Sequence, residues 1–461
     1  MRRGYACSAR VRHRFRARCA SPLHVSLSTL RSAAWPSQGT DSDDVRADFV
    51  LQKLHRSTGD GSLAAPASTP TVEAPLHQEA SGVGLCDIAQ VPRHVYLHVP
   101  FCARRCSYCD FAIAIRRTVP VDDYLRALGA ELATRFGDRQ PSEVDTIYLG
   151  GGTPSRLGGD GVARAIELVQ RQFHPSNGAE ITIEANPDDV TPHATKLWRS
   201  AGVNRVSLGA QSFDESVLEW MHRTHDASTT VRAVEILRDG GITNLSLDLI
   251  FALPETLGRN FEHDLRRLLE LAPDHVSTYG LTIEPATPLG RWVARGITVE
   301  QPEEGYEDDF LAAHRILANA GFEHYEVSNY ARPGRRARHK SAYWTGVPYV
   351  GLGPSAHGFD GQVRRWNTRH YHDWRQVALA NVDPLEGSEV LTADNRVAEA
   401  VYLGLRSAAG LPATPADRPM IDRWITAGWA ELGHDDRLRC TAEGWLRLDA
   451  LAAALTHHRS R

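Results

Sequence analysis

The sequence predicts an α/β fold in which six successive βα units build a parallel sheet that curls into a partial (β/α)6 barrel. A smaller, mostly α C-terminal domain with a winged-helix-like end follows. Three observations predict this. Six β-rich runs alternate with amphipathic helical stretches between Val91 and Tyr330. Nearly every run ends in a glycine or a polar side chain, as in barrels that bind ligands at the C-terminal ends of their strands. After Tyr330 the alternation stops, and a helical period returns only over residues 391–461.

Residues 1–40 hold eight arginines and no acid, and they lack the apolar core of a secretory signal. They read as a disordered extension, with a mitochondrial transit peptide as the alternative. Residues 41–90 are rich in Ser, Gly, Pro, Ala and Asp without a sustained period, so 1–90 is assigned as extension and linker. The core domain is 91–330 and the C-terminal domain 331–461. The expected strands are HVYLHV (94–99), VDTIYL (144–149), EITIEA (180–185), RVSLGA (205–210), NLSLDLIF (244–251) and HVSTYGLT (275–282). Helices are expected at Asp122–Phe136, Val162–Phe173 and Ser228–Asp239 among others. FEHYEVS (322–328) is a seventh strand candidate, too few for a closed eight-stranded barrel. Residues 331–390 read as irregular and aromatic-rich, and GHDDRLRCTAEG suggests a small β-wing.

Composition narrows the function. The chain has 461 residues, 42% of them hydrophobic, and no apolar run reaches the ~18 residues of a membrane span. Beyond residue 40 the chain carries 44 basic and 56 acidic side chains, an acidic balance that argues against a nucleic-acid partner. Seven cysteines are too few for a disulfide scaffold, and three of them fall within eight residues. That clustering points to metal in a reducing compartment, so a cytoplasmic location is expected.

The three are Cys102, Cys106 and Cys109, spaced C-x-x-x-C-x-x-C directly after the first strand. A closed zinc site needs a fourth ligand, for which Asp110 is poorly placed and His98 must fold back. Three thiolates on a four-iron cluster instead leave one iron free to bind a small molecule. Cys7, Cys19, Cys86 and Cys440 have no ligand neighbours at useful spacing and receive no role.

The strand ends add LGGGTP (149–154), Glu184 in ITIEANP, Gln211, Arg223 in MHRTH, and Asp248 within LSLDLIFALP. The glycine run is not the dinucleotide-binding G-x-G-x-x-G. A carboxylate inside an apolar run, as at Asp248, requires a partner because a buried unpaired charge costs several kcal/mol.

With Tyr108 between its last two cysteines, the cluster motif resembles that of the radical S-adenosylmethionine superfamily. The resemblance implies a [4Fe–4S] cluster on Cys102, Cys106 and Cys109, whose free iron chelates S-adenosylmethionine. Reductive cleavage then gives a 5′-deoxyadenosyl radical. From about Val91 onward the chain is similar, motif by motif, to the family of oxygen-independent coproporphyrinogen III oxidase and its haem-chaperone branch. That likeness implies S-adenosylmethionine contacts from Tyr96, Gly151, Gly152, Thr153, Glu184, Gln211, Arg223 and Asp248, with Tyr108 near a second molecule or equivalent site. LTIEPATPL, YEVSNYARPG and GLGPSAHG are further family-like stretches.

Two features separate the branches. The oxidase signature continues to a fourth cysteine, where this chain has Phe111. The chaperone branch carries H-N-x-x-Y-W, matched here by His339, Tyr343 and Trp344, with Lys340 in place of the asparagine. The resemblance makes His339 the expected haem ligand, exposed beside two aromatic rings, and Lys340 a cation available to a propionate. Three readings follow. One is a haem chaperone that uses the cluster and S-adenosylmethionine, with haem, haem-accepting proteins and an electron donor as partners. The second is a coproporphyrinogen III oxidase. The third is a radical enzyme acting on another substrate such as a tRNA base.

Overall fold

A computed structural model describes residues 92–461. Six parallel strands form its centre: β1 (His94–Val99), β2 (Ser142–Gly151), β3 (Phe173–Ala185), β4 (Arg205–Gln211), β5 (Asn244–Phe251) and β6 (His275–Gly280). They lie side by side in chain order, all in parallel register. Between them run α1 (Val121–Phe136), α2 (Gly158–Gln170), α3 (Pro192–Ser200), α4 (Ala227–Asp239) and α5 (Phe261–Glu270). Their starts are fixed locally. Thr191, Asp226 and Asn260 each cap a first turn by accepting a backbone N–H, and Pro192 opens α3.

The strands alternate in which face each side chain meets. Leu97, Val99, Ile147, Leu149, Ile181, Ile183, Val206, Leu208, Leu247 and Leu249 share one parity and pack with the helices in a single core. Each such side chain contributes roughly 1.5–3 kcal/mol when buried. The opposite parity is mostly polar: Tyr96, His98, Tyr148, Glu184, Ser207, Asp248, His275 and Tyr279. This polar face is concave. Helix α6 (Arg338–Thr345) touches Thr146 on β2, Glu180 on β3 and Tyr279 on β6 through the neighbouring residues His339 and Lys340. In a flat sheet β2 and β6 would stand about 19 Å apart, so the sheet wraps into the expected partial barrel.

The seventh candidate strand differs from a βα unit. Glu323–Glu326 pairs antiparallel with Asn329–Ala331, which itself runs antiparallel to β6. A two-residue link permits only a hairpin. On the other edge Val350–Leu352 joins β1 in parallel. The stretch expected to be irregular holds structure besides α6. A three-stranded antiparallel sheet comprises His357–Phe359, Val363–Asn367 and Leu385–Val390, and the helix Tyr371–Leu379 lies within it in the chain. Further on, Leu411–Pro412, Ala430–Leu432 and Arg437–Cys440 form the small wing beside the helices Ala393–Arg406 and Leu448–Arg459. The N-terminal extension and linker, with Cys7, Cys19 and Cys86, lie outside the described residues.

Candidate functional site

Past Pro100 the chain makes one short parallel pairing, Phe101–Cys102 with Ala114–Ile115, which closes the cysteine loop at its base. The loop is tied across the barrel mouth as well. Ser107 N donates to the Met221 carbonyl at 3.2 Å, and Leu289 N to the Ser107 carbonyl at 2.8 Å. The Arg104 guanidinium donates to the carbonyls of His222 and Arg223. These anchors come from separate segments, so the loop conformation is imposed by the fold.

All three loop cysteines are free and partly buried. Cys102 Sγ lies 3.4 Å from Thr153 Oγ1, and Arg223 Nη1 donates to Cys106 Sγ at 3.5 Å. Burial, with the neighbouring Cys106 as a lesser cause, pushes the Cys102 thiol up to about 11 and the Cys109 thiol up to about 12. The two candidates for a fourth zinc ligand are both unsuited. Asp110 is exposed, and His98 spends its ring nitrogens on Tyr96 Oη at 3.1 Å and the Ala112 carbonyl at 3.1 Å. Among the described residues no three histidine, cysteine or carboxylate side chains close around a single metal ion. Three cysteines on one loop, with neither Asp110 nor His98 suited to complete a zinc site, are the donor set of a cluster with three protein ligands.

Two groups of residues stand at the C-terminal ends of the strands. On one side Gly151, at φ 113°, donates its N–H to Glu184 Oε2 at 3.2 Å, and Tyr148 Oη donates to Glu184 Oε1 at 2.7 Å. Only glycine suits this turn, since a Cβ on Gly151 would come within 2.6 Å of the His98 ring. Gly152 and Thr153 give their N–H groups to the Val99 and Phe101 carbonyls, which fastens the loop to β1. Tyr96 stacks on Tyr148 with centroids 6.2 Å apart. On the other side Arg223 reaches Asn186 Oδ1 at 2.7 Å and the Gly209 carbonyl at 3.0 Å, and its buried Nε has no partner. Gln211, at φ 66°, brings its amide over the same Gly209. Of the expected residues, Thr153 and Arg223 touch the cysteines directly, Gly151, Glu184 and Tyr96 are linked through Tyr148, and Gln211 shares Gly209 with Arg223. An unpaired guanidinium N–H, a buried carboxylate and a glycine turn can receive a zwitterionic amino-acid ligand.

Asp248 has the partners that its apolar setting demands: the Ser207 and Ser246 hydroxyls donate to it at 3.0–3.1 Å. Lys340 is buried and donates from Nζ to Tyr279 Oη at 2.8 Å. Burial works against its charge, yet Tyr279, Asp248 and Glu184 hold the ammonium above its ordinary value. Burial likewise raises Glu184, with Lys340 pulling the other way. Lys340 is therefore an internal counter-ion, not a surface cation for a propionate. The exposure expected of His339 is also corrected. The residue is 1% exposed, stacks on Tyr148 at 5.0 Å, and spends Nδ1 on Thr146 Oγ1 at 2.6 Å and Nε2 on Tyr343 Oη at 2.8 Å. Burial keeps this ring neutral. Neither nitrogen is free for iron. Sequence reasoning missed Tyr148 and Asn186. Strand parity was the available signal for the first, because Tyr148 lies in register with Tyr96 and two residues before Gly150.

The comparisons agree with this geometry. The model of the radical SAM superfamily matches residues 96–268. A Mycobacterium tuberculosis protein named haem chaperone HemW is 37% identical over 81% of this chain and 97% of its own length. HemW of Escherichia coli is 35% identical over 73% of this chain and 91% of its own, and HemW of Bacillus subtilis is 33% identical over 69% and 84%. The solved structure of coproporphyrinogen III oxidase from Escherichia coli superposes with a TM-score of 0.68 at 22% identity, covering 82% of this chain and 92% of that one. That likeness shows the fold. Identity of this depth over most of the length of its relatives settles the kinship: the chain belongs to the HemW family of the radical S-adenosylmethionine superfamily.

Proposed function

We propose that this protein is a haem chaperone: it binds haem and passes it to haem-accepting proteins, and a [4Fe–4S] cluster with S-adenosylmethionine serves that task. Cys102, Cys106 and Cys109 hold the cluster in this reading. When bound, the cluster supplies an electron-accepting centre and an open iron position for the amino and carboxylate groups of S-adenosylmethionine. The chain's own residues do the positioning. Arg223 takes a carboxylate and steadies the Cys106 thiolate, Gly151 allows close approach, and Glu184 receives an ammonium. Tyr96, Gly152, Thr153, Gln211 and Asp248 complete the wall, with Tyr108 on the loop itself. An electron donor for the cluster and a cytoplasmic site of action belong to the same proposal.

The observation that carries the choice of chaperone over oxidase is Phe111. It stands where the oxidase motif has a fourth cysteine, and it is 42% exposed. Relatives named haem chaperone at up to 37% identity support the same choice. The test is a haem titration of the anaerobically reconstituted protein. A saturable Soret band at one haem per chain is expected, and a featureless linear rise would overturn the proposal.

A further inference from the structure

With His339 sealed inside the barrel, a haem iron needs another ligand. The rim beside the cysteine loop is built differently from the rest of the molecule. Six apolar side chains, Val217, Met221, Ile250, Leu253, Leu281 and Leu289, form a small core of their own. Packed against it are the partly buried Tyr108, Trp220, Leu257, Ile283 and Trp292. The Trp220 and Trp292 rings lie 5.9 Å apart, and the His222 imidazole stands edge-on to Trp292 at 5.4 Å.

His222 is half-buried, and no protein hydrogen bond to its ring is found among the described residues. Its backbone, in contrast, is held firmly. It sits at φ 60°, a conformation in which non-glycine residues are uncommon and often functional. Its N–H donates to the Glu219 carbonyl at 2.9 Å, and its carbonyl receives the Arg104 guanidinium. A rigid backbone thus presents a free imidazole against Trp292, whose ring is tilted 58° to that of Trp220. Charge completes the pattern. Arg104 and Arg105 on the cysteine loop and Arg291 and Arg295 around the Trp292 helix are exposed, in a chain that is acidic beyond residue 40.

We infer that this rim is the haem-docking face: His222 ligates the iron, the Trp220 and Trp292 rings border the macrocycle as an apolar wall, and the arginines take the two propionates. The aromatic wall, the free imidazole and the cationic border match an apolar dicarboxylate metal complex, and they place haem beside the cysteine loop. This inference rests on the haem-chaperone proposal above. It is tested with ferric haem titrated into full-length, cluster-loaded protein, comparing wild type with His222→Gly and Trp292→Leu. Glycine accepts the positive φ, so the backbone is kept. His222→Gly is expected to lose the wild-type Soret position and at least ~10-fold in affinity, with added imidazole restoring the band. Trp292→Leu is expected to keep the Soret position and bind several-fold more weakly. An unchanged Soret band and affinity in His222→Gly overturns the assignment while leaving the chaperone proposal standing. Absence of saturable binding in wild type overturns both. Equal iron content in the variants shows that the cluster loop is intact, and a His222→Gly protein that does not load its cluster leaves Trp292→Leu to decide by its affinity.

Discussion

Gly151 joins a local backbone requirement to the chemistry of the mouth. Its φ of 113° and the His98 ring 2.6 Å from any Cβ mean that Gly151→Ala must either move His98 or break the N–H bond to Glu184. A loss of about 1–3 kcal/mol in stability is expected, together with weaker S-adenosylmethionine binding by calorimetry. A variant matching wild type in both would show that the turn is not a cradle. His225 gives a second prediction. Burial and the neighbouring Arg223 lower its pKa to about 4 from 6.5, with Nε2 on the Ala210 carbonyl at 3.2 Å. The unfolded chain binds the extra proton first. The stabilisation is therefore full above pH 6.5 and is lost as pH falls toward 4, by about 3 kcal/mol in all. His225→Gln is expected to remove that part of the slope in urea midpoints between neutral pH and about pH 4. An unaltered slope would mean that the ring is not kept neutral. At this scale the cysteines were legible because their spacing is itself the chemistry. His339 and Lys340 were misplaced because burial depends on a helix crossing a face that only the curled sheet creates.

Helix α1 shows how the elements hold one another. Glu131 is fully buried and accepts from Arg135 at 2.6 Å, Gly353 N at 2.9 Å, Asn367 Nδ2 at 2.7 Å and Trp374 Nε1 at 2.9 Å. One carboxylate thus fastens the first barrel helix to three later segments. Glu131→Ala strands a buried guanidinium and three donors, and about 3–5 kcal/mol of destabilisation is expected by denaturant titration. A cost under about 1 kcal/mol would contradict the role. The six barrel strands were readable because most alternate apolar and polar residues, although β3 starts at Phe173, seven residues before the expected EITIEA and where the helix expected over Val162–Phe173 was to end. Val363–Asn367 and Leu385–Val390 were not, since VRRWN and LEGSEV show no apolar face and pair with each other over a long connection.

Over the whole molecule, the barrel is inverted relative to a simple globule: its apolar parity faces the helices and its polar parity lines the hollow. A continuous set of contacts runs through that hollow, from His339 to Tyr148, from Tyr148 to Glu184, and from Glu184 to Gly151 beside the cysteine loop. His339→Ala is accordingly expected to lower stability by roughly 1–3 kcal/mol, leaving Tyr343 without its partner and Thr146 with His94 alone, with haem affinity little changed. A specific loss of haem binding in a stable variant would return the ligand role to His339. Serine at Cys102, Cys106 or Cys109 is expected to abolish the cluster's visible absorbance after anaerobic reconstitution. Full four-iron content in any of the three would remove that residue from the ligand set.

With Phe111 in the fourth position, this barrel is expected to carry haem without making its precursor. The reconstituted protein is incubated anaerobically with reductant, S-adenosylmethionine and coproporphyrinogen III, and the products are read by mass spectrometry. An intact cluster and no protoporphyrinogen IX are expected. Formation of protoporphyrinogen IX at more than one equivalent would contradict this and make the protein an oxidase that works without the fourth cysteine.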